Sequence, residues 1–273
     1  TQCGVPLRVV SHYEFKVNPS DGRTFLPGAT CLGTLLRQHG YRNVFLGGAP
    51  LFFAGKGKFL HDHGYDTAYG RDEWQKERTD PKAFNEWGLY DDALFTKAKA
   101  TLTQLHASGQ PFNLTLLTLD THNPVGFRSP SCRARGIKGF EDIVECTSHQ
   151  VADFVKFVRQ SGYLKNTAIA IVGDHLAVSN PLADTLRAVP DRRVFNLFIS
   201  EPAARRNRDD LVSFDLFPTL VEFAGFDVSG GRLGLGYSAL NAQQSASSPE
   251  GLQDFMQPTL TFSATYRKLW DQP

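Results

Sequence analysis

The stretch T-A-I-A-I-V-G-D-H-L-A-V, residues 167–178, decides how the rest of the sequence reads. Five apolar residues, Ala168 to Val172, run without a polar break and stop at Gly173-Asp174-His175. A strand buried on both faces of a parallel sheet has this text, because neither face needs a polar residue. In open α/β sheets ligands sit beyond the carboxyl ends of the strands, so Asp174 and His175 are candidates for metal binding or acid–base work. The plainer alternative is a Gly-Asp turn followed by a capping or core histidine.

Working outward, strand-like and helix-like segments alternate. Residues 32–39 have helical spacing with Gly40 as a stop, residues 43–46 read as a short strand, and 58–63 as a short helix closed by Gly64. Residues 71–84 are polar and read as a surface excursion. The segment 91–107 places Ala93, Leu94, Ala98, Leu102 and Leu105 on one helical face. Residues 112–119 form the second clear buried strand, which also ends on polar chemistry, Asp120-Thr121-His122-Asn123-Pro124. A loop rich in Arg, Gly and Lys follows over 129–145, then a helix over 147–160, the strand already quoted, a polar loop, a strand over 194–200 and a helix over 213–225. Alternation over 259–269 reads as a C-terminal strand or hairpin. The expected fold is α/β: a mostly parallel central sheet flanked by helices over residues 1–228, with a small C-terminal subdomain over 229–273 packed on it.

Composition excludes several classes. With 273 residues and 41% hydrophobic content the chain can bury a full core. A net charge of +1 and the lack of a basic stripe with interleaved aromatics argue against nucleic acid as a partner. No apolar run approaches the roughly 20 residues that span a bilayer, so the chain as given is expected to be soluble. It opens at Thr1 without an initiator Met or a signal-like region, from which an upstream segment is expected.

The four cysteines, Cys3, Cys31, Cys132 and Cys146, lack the C-x-x-C spacing of zinc or dithiol redox sites. Pairing by proximity, Cys3 with Cys31 and Cys132 with Cys146, is the economical choice among the three connectivities four cysteines allow. It would imply an oxidising compartment. Four buried free thiols are the other reading.

The segments T-Q-C-G-V-P-L (residues 1–7), C-L-G-T-L-L-R-Q-H-G-Y (31–41), F-A-G-K (53–56), H-G-Y-D (63–66), W-G-L-Y-D-D (87–92), L-D-T-H-N-P (119–124), G-D-H (173–175) and D-L-F-P-T-L (215–220), in this order and spacing, resemble the catalytic domain of the lipoteichoic acid synthase and phosphoglycerol transferase family. That family lies in the sulfatase-like branch of the alkaline phosphatase superfamily. Within it, the four cysteines and these texts are similar to the phosphoglycerol transferases that modify osmoregulated periplasmic glucans, whereas the Gram-positive lipoteichoic acid synthases lack the cysteines.

The resemblance implies a divalent cation, Mn²⁺ first with Mg²⁺ or Zn²⁺ compatible, held in part by Asp174 and His175. It implies a two-step transfer of phosphoglycerol from phosphatidylglycerol through a threonine ester to a glucan hydroxyl. His122 matches a histidine that contacts the phosphate and moves a proton; the alternative is a loop histidine bonded to Asp120. Lys56 falls where the lipoteichoic enzymes carry a head-group-binding arginine, and keeps the charge without the bidentate fork. Trp87 and Asp91 are candidates to shape the glycerol pocket, or else core residues. The other six histidines read as structural or exposed.

In the relatives the metal-binding glutamate and the nucleophilic threonine precede the T-Q-C-G segment. The resemblance therefore places them upstream of Thr1, along with a membrane anchor, and leaves this chain with half a metal site in a periplasmic domain, inactive alone. Phosphoethanolamine transfer and sulfate-ester hydrolysis use the same fold, and a catalytically silent glucan- or lipid-binding module is the reading from another class. No C-x-P-x-R or S-x-P-x-R text of the sulfatases occurs here.

Overall fold

The computed structural model describes residues 2–7, 24–240 and 263–271. Its centre is a parallel sheet in the order β2-β1-β3, made by β1 (Arg42–Gly47), β2 (Thr67–Tyr69) and β3 (Phe112–Leu117). β1, the middle strand, is buried from Asn43 onward.

Helices cover both faces, as a parallel sheet requires. The long helices pack on one side, where Leu94, Ala98 and Leu102 meet Val44, Leu46, Phe154 and Val158 in the largest apolar cluster. On the other side Leu32 and Leu36 meet Phe217 and Val221, while Leu60 and Tyr65 lie against Phe45. In chain order the helices are α1 (Leu32–Gln38), α2 (Lys56–Asp62), α3 (Arg71–Lys76), α4 (Asp91–Ala107), α5 (Pro130–Ala134), α6 (Phe140–Gln160), α7 (Ala183–Arg187), α8 (Leu216–Phe223) and α9 (Ala264–Lys268). The α/β architecture with a parallel central sheet is as the sequence implies.

The details depart from the sequence reading in four places. The apolar stretch at 168–172 forms β4 (Ile169–Val172), but it pairs antiparallel with β5 (Asn196–Ile199) and every residue of it is only half-buried. Residues 71–84 are more than a surface excursion. They hold α3, whose Trp74 is buried and donates its indole N–H to the Gly47 carbonyl at 2.9 Å. Part of the loop expected over 129–145 is helical, because α6 starts at Phe140, with Glu141 and Asp142 favourably placed at its amino end. The strand expected over 259–269 is α9 where it is described, capped by the Ser263 hydroxyl accepting from Tyr266 N; residues 259–262 lie outside the described residues.

After residue 228, the short hairpin β6 (Arg232–Leu233) and β7 (Gly236–Tyr237) packs on α8 and the turn before it. Asp215 is the node there. Its buried carboxylate accepts from the Arg208 guanidinium, Val212 N and Tyr237 N, and the Thr219 hydroxyl donates to its carbonyl while accepting from Ala239 N. The D-L-F-P-T-L text is thus architectural. α9 returns to the start of the chain, where Gly28 N donates to Leu269 O and the Phe25 and Trp270 rings lie 5.2 Å apart.

Cys3 is joined to Cys31 and Cys132 to Cys146. The first bridge staples the amino end onto α1. The second pins α5 to α6 across a separation of 14 residues, with both sulfurs in the interior. A loop of that size is worth about 3 kcal/mol on the chain-entropy account. Replacing Cys132 and Cys146 together by alanine should therefore lower Tm by roughly 6–12 °C. Calorimetry of the double variant beside the parent checks this; an unchanged Tm would mean that the bridge constrains nothing.

Candidate functional site

Three of the sequence candidates line the same groove. His122 lies in the turn after β3, and Asp174 and His175 lie just beyond β4; all three line one groove of about 1020 Å³ that also runs along both strands. His122 is half-buried. Its Nδ1 sits 2.8 Å from the Asn123 carbonyl, which can only accept, so the neutral ring carries its proton on Nδ1 and offers Nε2 as a base.

Trp87 supports that ring from the side. The two rings stack with centroids 4.9 Å apart, and Phe53 meets the other part of Trp87 edge-on at 5.4 Å. The backbone beneath Trp87 is fixed by Asn85, whose side-chain oxygen accepts from both Trp87 N and Gly88 N at 2.7 and 2.8 Å. Gly88 has to be glycine, because a Cβ there would stand 2.1 Å from the Gly48 carbonyl oxygen. The segment carrying Trp87 is thereby pressed against the end of β1.

Asp91 does not face substrate. It is fully buried at the first turn of α4, with one carboxylate oxygen accepting from Leu119 N at 2.7 Å and the other from Asp120 N at 2.9 Å. Asp120, also fully buried, returns the bond, its Oδ2 accepting from Asp91 N at 3.2 Å. The expectation that Asp91 walls a glycerol pocket is corrected accordingly: its charge is used up on backbone donors, and it holds the His122 turn against α4. The sequence does not single out Asp120. The only textual signal for it is an acidic residue directly after a buried strand.

Burial raises both carboxyls. Asp120 is pushed up to about 9 by its burial and then by the charge of Asp91, so it keeps its proton at neutral pH. Asp91 is raised as well, chiefly by burial, against two backbone hydrogen bonds that favour its ionised form.

Lys56 opens α2, directly after Ala54 and Gly55, both in the left-handed region at φ +54° and +69°. It does not line the groove; its ammonium lies 5.8 Å from the Phe45 ring centre. Burial brings its pKa down to about 8, and no carboxylate among the described residues pairs with it. A partly desolvated cation without a counter-ion is suited to an incoming anion. Phe53, three residues earlier, links this segment to Trp87 and so to His122.

Asp174 and His175 fit part of a divalent-metal site. The His175 Nδ1 is 2.8 Å from the Leu176 carbonyl, which directs Nε2 to the Asp174 side, 3.4 Å from Oδ2. A backbone acceptor on one imidazole nitrogen, leaving the other as donor to a metal, is the usual arrangement of metal-binding histidines. Oxygen and nitrogen donors together suit Mn²⁺, Zn²⁺ or Mg²⁺. Among the described residues no third His, Cys, Asp or Glu joins them, so they make an incomplete set.

The buried carboxyl pair gives two expectations. Asp91→Asn turns an amide N–H₂ toward at least one backbone N–H that had an acceptor, and should destabilise the protein by about 1–3 kcal/mol. Asp120→Asn, which resembles the protonated carboxyl already present, should cost much less. On pH the sign follows from the raised folded pKa: the folded protein keeps a proton that the unfolded chain releases above about pH 4, so this pair lowers stability as pH rises from about 4 to 9. Denaturation curves over that range should show a shallower decline for Asp120→Asn; an identical slope would mean that Asp120 is not protonated in the folded state.

Comparison with known proteins identifies the family. The sulfatase family pattern matches residues 11–226. A phosphoglycerol transferase I from Xanthomonas axonopodis pv. citri is 40% identical over 210 residues, covering 75% of this chain and 30% of the relative. One from Escherichia fergusonii is 34% identical over 283 residues, covering 100% of this chain and 36% of the relative. The chain thus spans about a third of the length of these curated relatives. Among solved structures, the lipoteichoic acid synthase LtaP from Listeria monocytogenes superposes with a TM-score of 0.62 at 18% identity, over 83% of this chain and 61% of that one. A protein of the alkaline phosphatase superfamily from Vibrio parahaemolyticus gives 0.57 at 20% identity, over 83% and 53%. Because the family pattern runs through most of its length, this chain belongs to the sulfatase family.

Proposed function

We propose that residues 1–273 form the catalytic region of a metal-dependent phosphotransferase that moves phosphoglycerol from phosphatidylglycerol to a hydroxyl of a periplasmic glucan. The observation that supports this reading is that His122, Asp174 and His175 line the same groove. Similarity to proteins named phosphoglycerol transferase I supplies the transferred group. The two disulfides favour an oxidising compartment such as the periplasm. No helix among the described residues is long and apolar enough to cross a membrane. The lipid partner in this reading is the phosphatidylglycerol head group.

In this reading Asp174 and His175 supply two ligands to a divalent cation, Mn²⁺ being the leading candidate. Such an ion, when bound, polarises the phosphoryl oxygens and acidifies the attacking hydroxyl. The nucleophilic threonine and the remaining ligand come from outside residues 1–273. His122 serves both half-reactions: as imidazolium its Nε2 gives a proton to the departing diacylglycerol oxygen, and as imidazole it takes the proton from the glucan hydroxyl. The hydrogen bond from Nδ1 to Asn123 O holds the ring in place through both. Trp87 orients it by stacking, and Lys56 attracts the anionic head group from the α2 side.

The test is transfer of labelled phosphoglycerol from phosphatidylglycerol vesicles to glucan by the full-length polypeptide. His122→Ala should slow turnover by about 10² to 10⁴ and leave metal affinity unchanged, since general acid–base help is worth that much. Asp174→Asn should lose the metal by calorimetric titration as well as the activity. Retention of metal and activity by Asp174→Asn, or loss of metal by His122→Ala, would reassign the site.

Lys56 is tested separately with glycerol phosphate as the probe. Because its pKa lies near 8, affinity should fall as pH rises through that value and the ammonium loses its proton. Lys56→Arg stays charged and should flatten that dependence. A parent pH profile without a break near 8 would remove Lys56 from anion binding.

A further inference from the structure

The basic segment that follows the His122 turn has no part in the site described above. Residues 121–140 carry Arg128, Arg133, Arg135 and Lys138 and no carboxylate, in a chain whose net charge is +1. All four cations are exposed. Arg133 is engaged within the protein: its guanidinium lies 5.3 Å from the Tyr90 ring centre and donates to the Tyr90 hydroxyl at 3.2 Å and to the Arg128 carbonyl. The side chains of Arg128, Arg135 and Lys138 have no partner among the described residues. Neighbouring carboxylates do not answer them. Asp92 accepts from Ser131 N at 2.9 Å, and Asp142 from Lys138 N and Gly139 N at 3.3 and 3.2 Å; neither forms an ion pair with the cations.

The backbone that presents these charges is braced. Cys132, fully buried, ties α5 to α6 through Cys146, and Ser131 and Arg133 seat α5 against Asp92 and Tyr90 at the amino end of α4. The turn before α5 closes back on the end of β3, with Gly126 N donating to His122 O at 3.0 Å and Phe127 N to Asp120 O at 2.7 Å. Like charges gathered on one fixed surface repel one another, and a negatively charged partner relieves that repulsion.

Val125 narrows the kind of partner. It is 61% exposed, with Pro124 exposed beside it, and it stands between His122 and Arg128. Cations beside an apolar tip are suited to a bilayer surface, where lipid phosphates take the charges and the apolar side chain enters the head-group boundary. A soluble polyanion would satisfy the cations and leave Val125 in water.

We propose that the face formed by residues 124–138 docks on an anionic bilayer, with Val125 at head-group level and Arg128, Arg135 and Lys138 on lipid phosphates. Val125 is two residues beyond Asn123, which lines the groove with His122, so a bilayer held there lies at the rim of that groove. The proposal rests on charge and exposure, and not on which group the enzyme transfers.

A fluorescent amino acid in place of Val125 in the full-length polypeptide, with vesicles carrying a quencher on the upper acyl chain, reads the contact. Phosphatidylserine supplies the anionic charge, so that the outcome is independent of phosphatidylglycerol as a donor. Quenching should appear with mixed phosphatidylserine and phosphatidylcholine vesicles and weaken as salt is raised. Each cation near such a surface is worth about 5-fold in binding, so Arg128→Gln, Arg135→Gln and Lys138→Gln together should weaken it by about 10²-fold. Equal quenching on phosphatidylcholine alone, or unchanged binding by the triple variant, overturns the proposal. A fluorescence response to dextran sulfate without one to the vesicles assigns the face to a soluble polyanion and overturns it as well.

Discussion

The arrangement of the site depends on a crossed pair of carboxyls. Asp91 accepts from two backbone N–H groups at the exit of β3, and Asp120 accepts from the first N–H of α4. A helix start and a strand end are thereby locked together inside the protein, where backbone donors left unpaired would be costly. Trp87 stands four residues before Asp91 and His122 two residues after Asp120. Their stacked rings are therefore carried on the two short arms of one clamp. Electrostatics permits the clamp because only one of its carboxyls is ionised: the Asp120 proton removes the repulsion that two buried charges would suffer.

What the sequence shows and hides follows from the same physics. His122, Asp174 and His175 stand out as candidates because apolar runs end just before them, and strand ends in α/β folds are where ligands bind. α4 is legible because its apolar residues repeat at helical spacing. Asp91 is not, since nothing in W-G-L-Y-D-D marks which of two adjacent aspartates turns inward, and charged residues are seldom fully buried. Trp74 is hidden for the opposite reason: a single aromatic in a polar segment carries no periodicity, and its burial is set by the carbonyl of Gly47, far away in sequence. The early start of α6 is masked by the Arg, Gly and Lys residues before it, while the Cys132–Cys146 bridge and the acidic first turn favour the helix. The alternation over 259–269 is a coincidence of spacing that the Ser263 cap overrides where the chain is described.

Lys56 and the Asp91–Asp120 pair show burial acting on opposite charges for different ends. Removal from water lowers the lysine and raises the aspartates, in each case favouring the neutral form. The aspartates recover part of that cost from backbone donors and become structural. Lys56 has no such partner among the described residues, so it is the group whose protonation an arriving anion would most readily restore. Whether a desolvated group already has a hydrogen-bond partner thus separates the aspartates, which position backbone, from Lys56, which the proposed function uses for an anion.

The one sequence expectation that the structure meets only halfway is also the most instructive. Residues 168–172 have the composition of a strand enclosed on both faces and flanked on both edges, yet β4 has a neighbour on one edge and is half-exposed throughout. β3 shows the same mismatch between an uncharged text and an open edge. Composition is selected for the environment a strand occupies in the working protein, and an apolar, unguarded edge is a liability wherever it meets water. β4 nonetheless carries Asp174 and His175 to the same groove that β3 reaches at His122, and the end of an apolar strand is where α/β proteins place their chemistry.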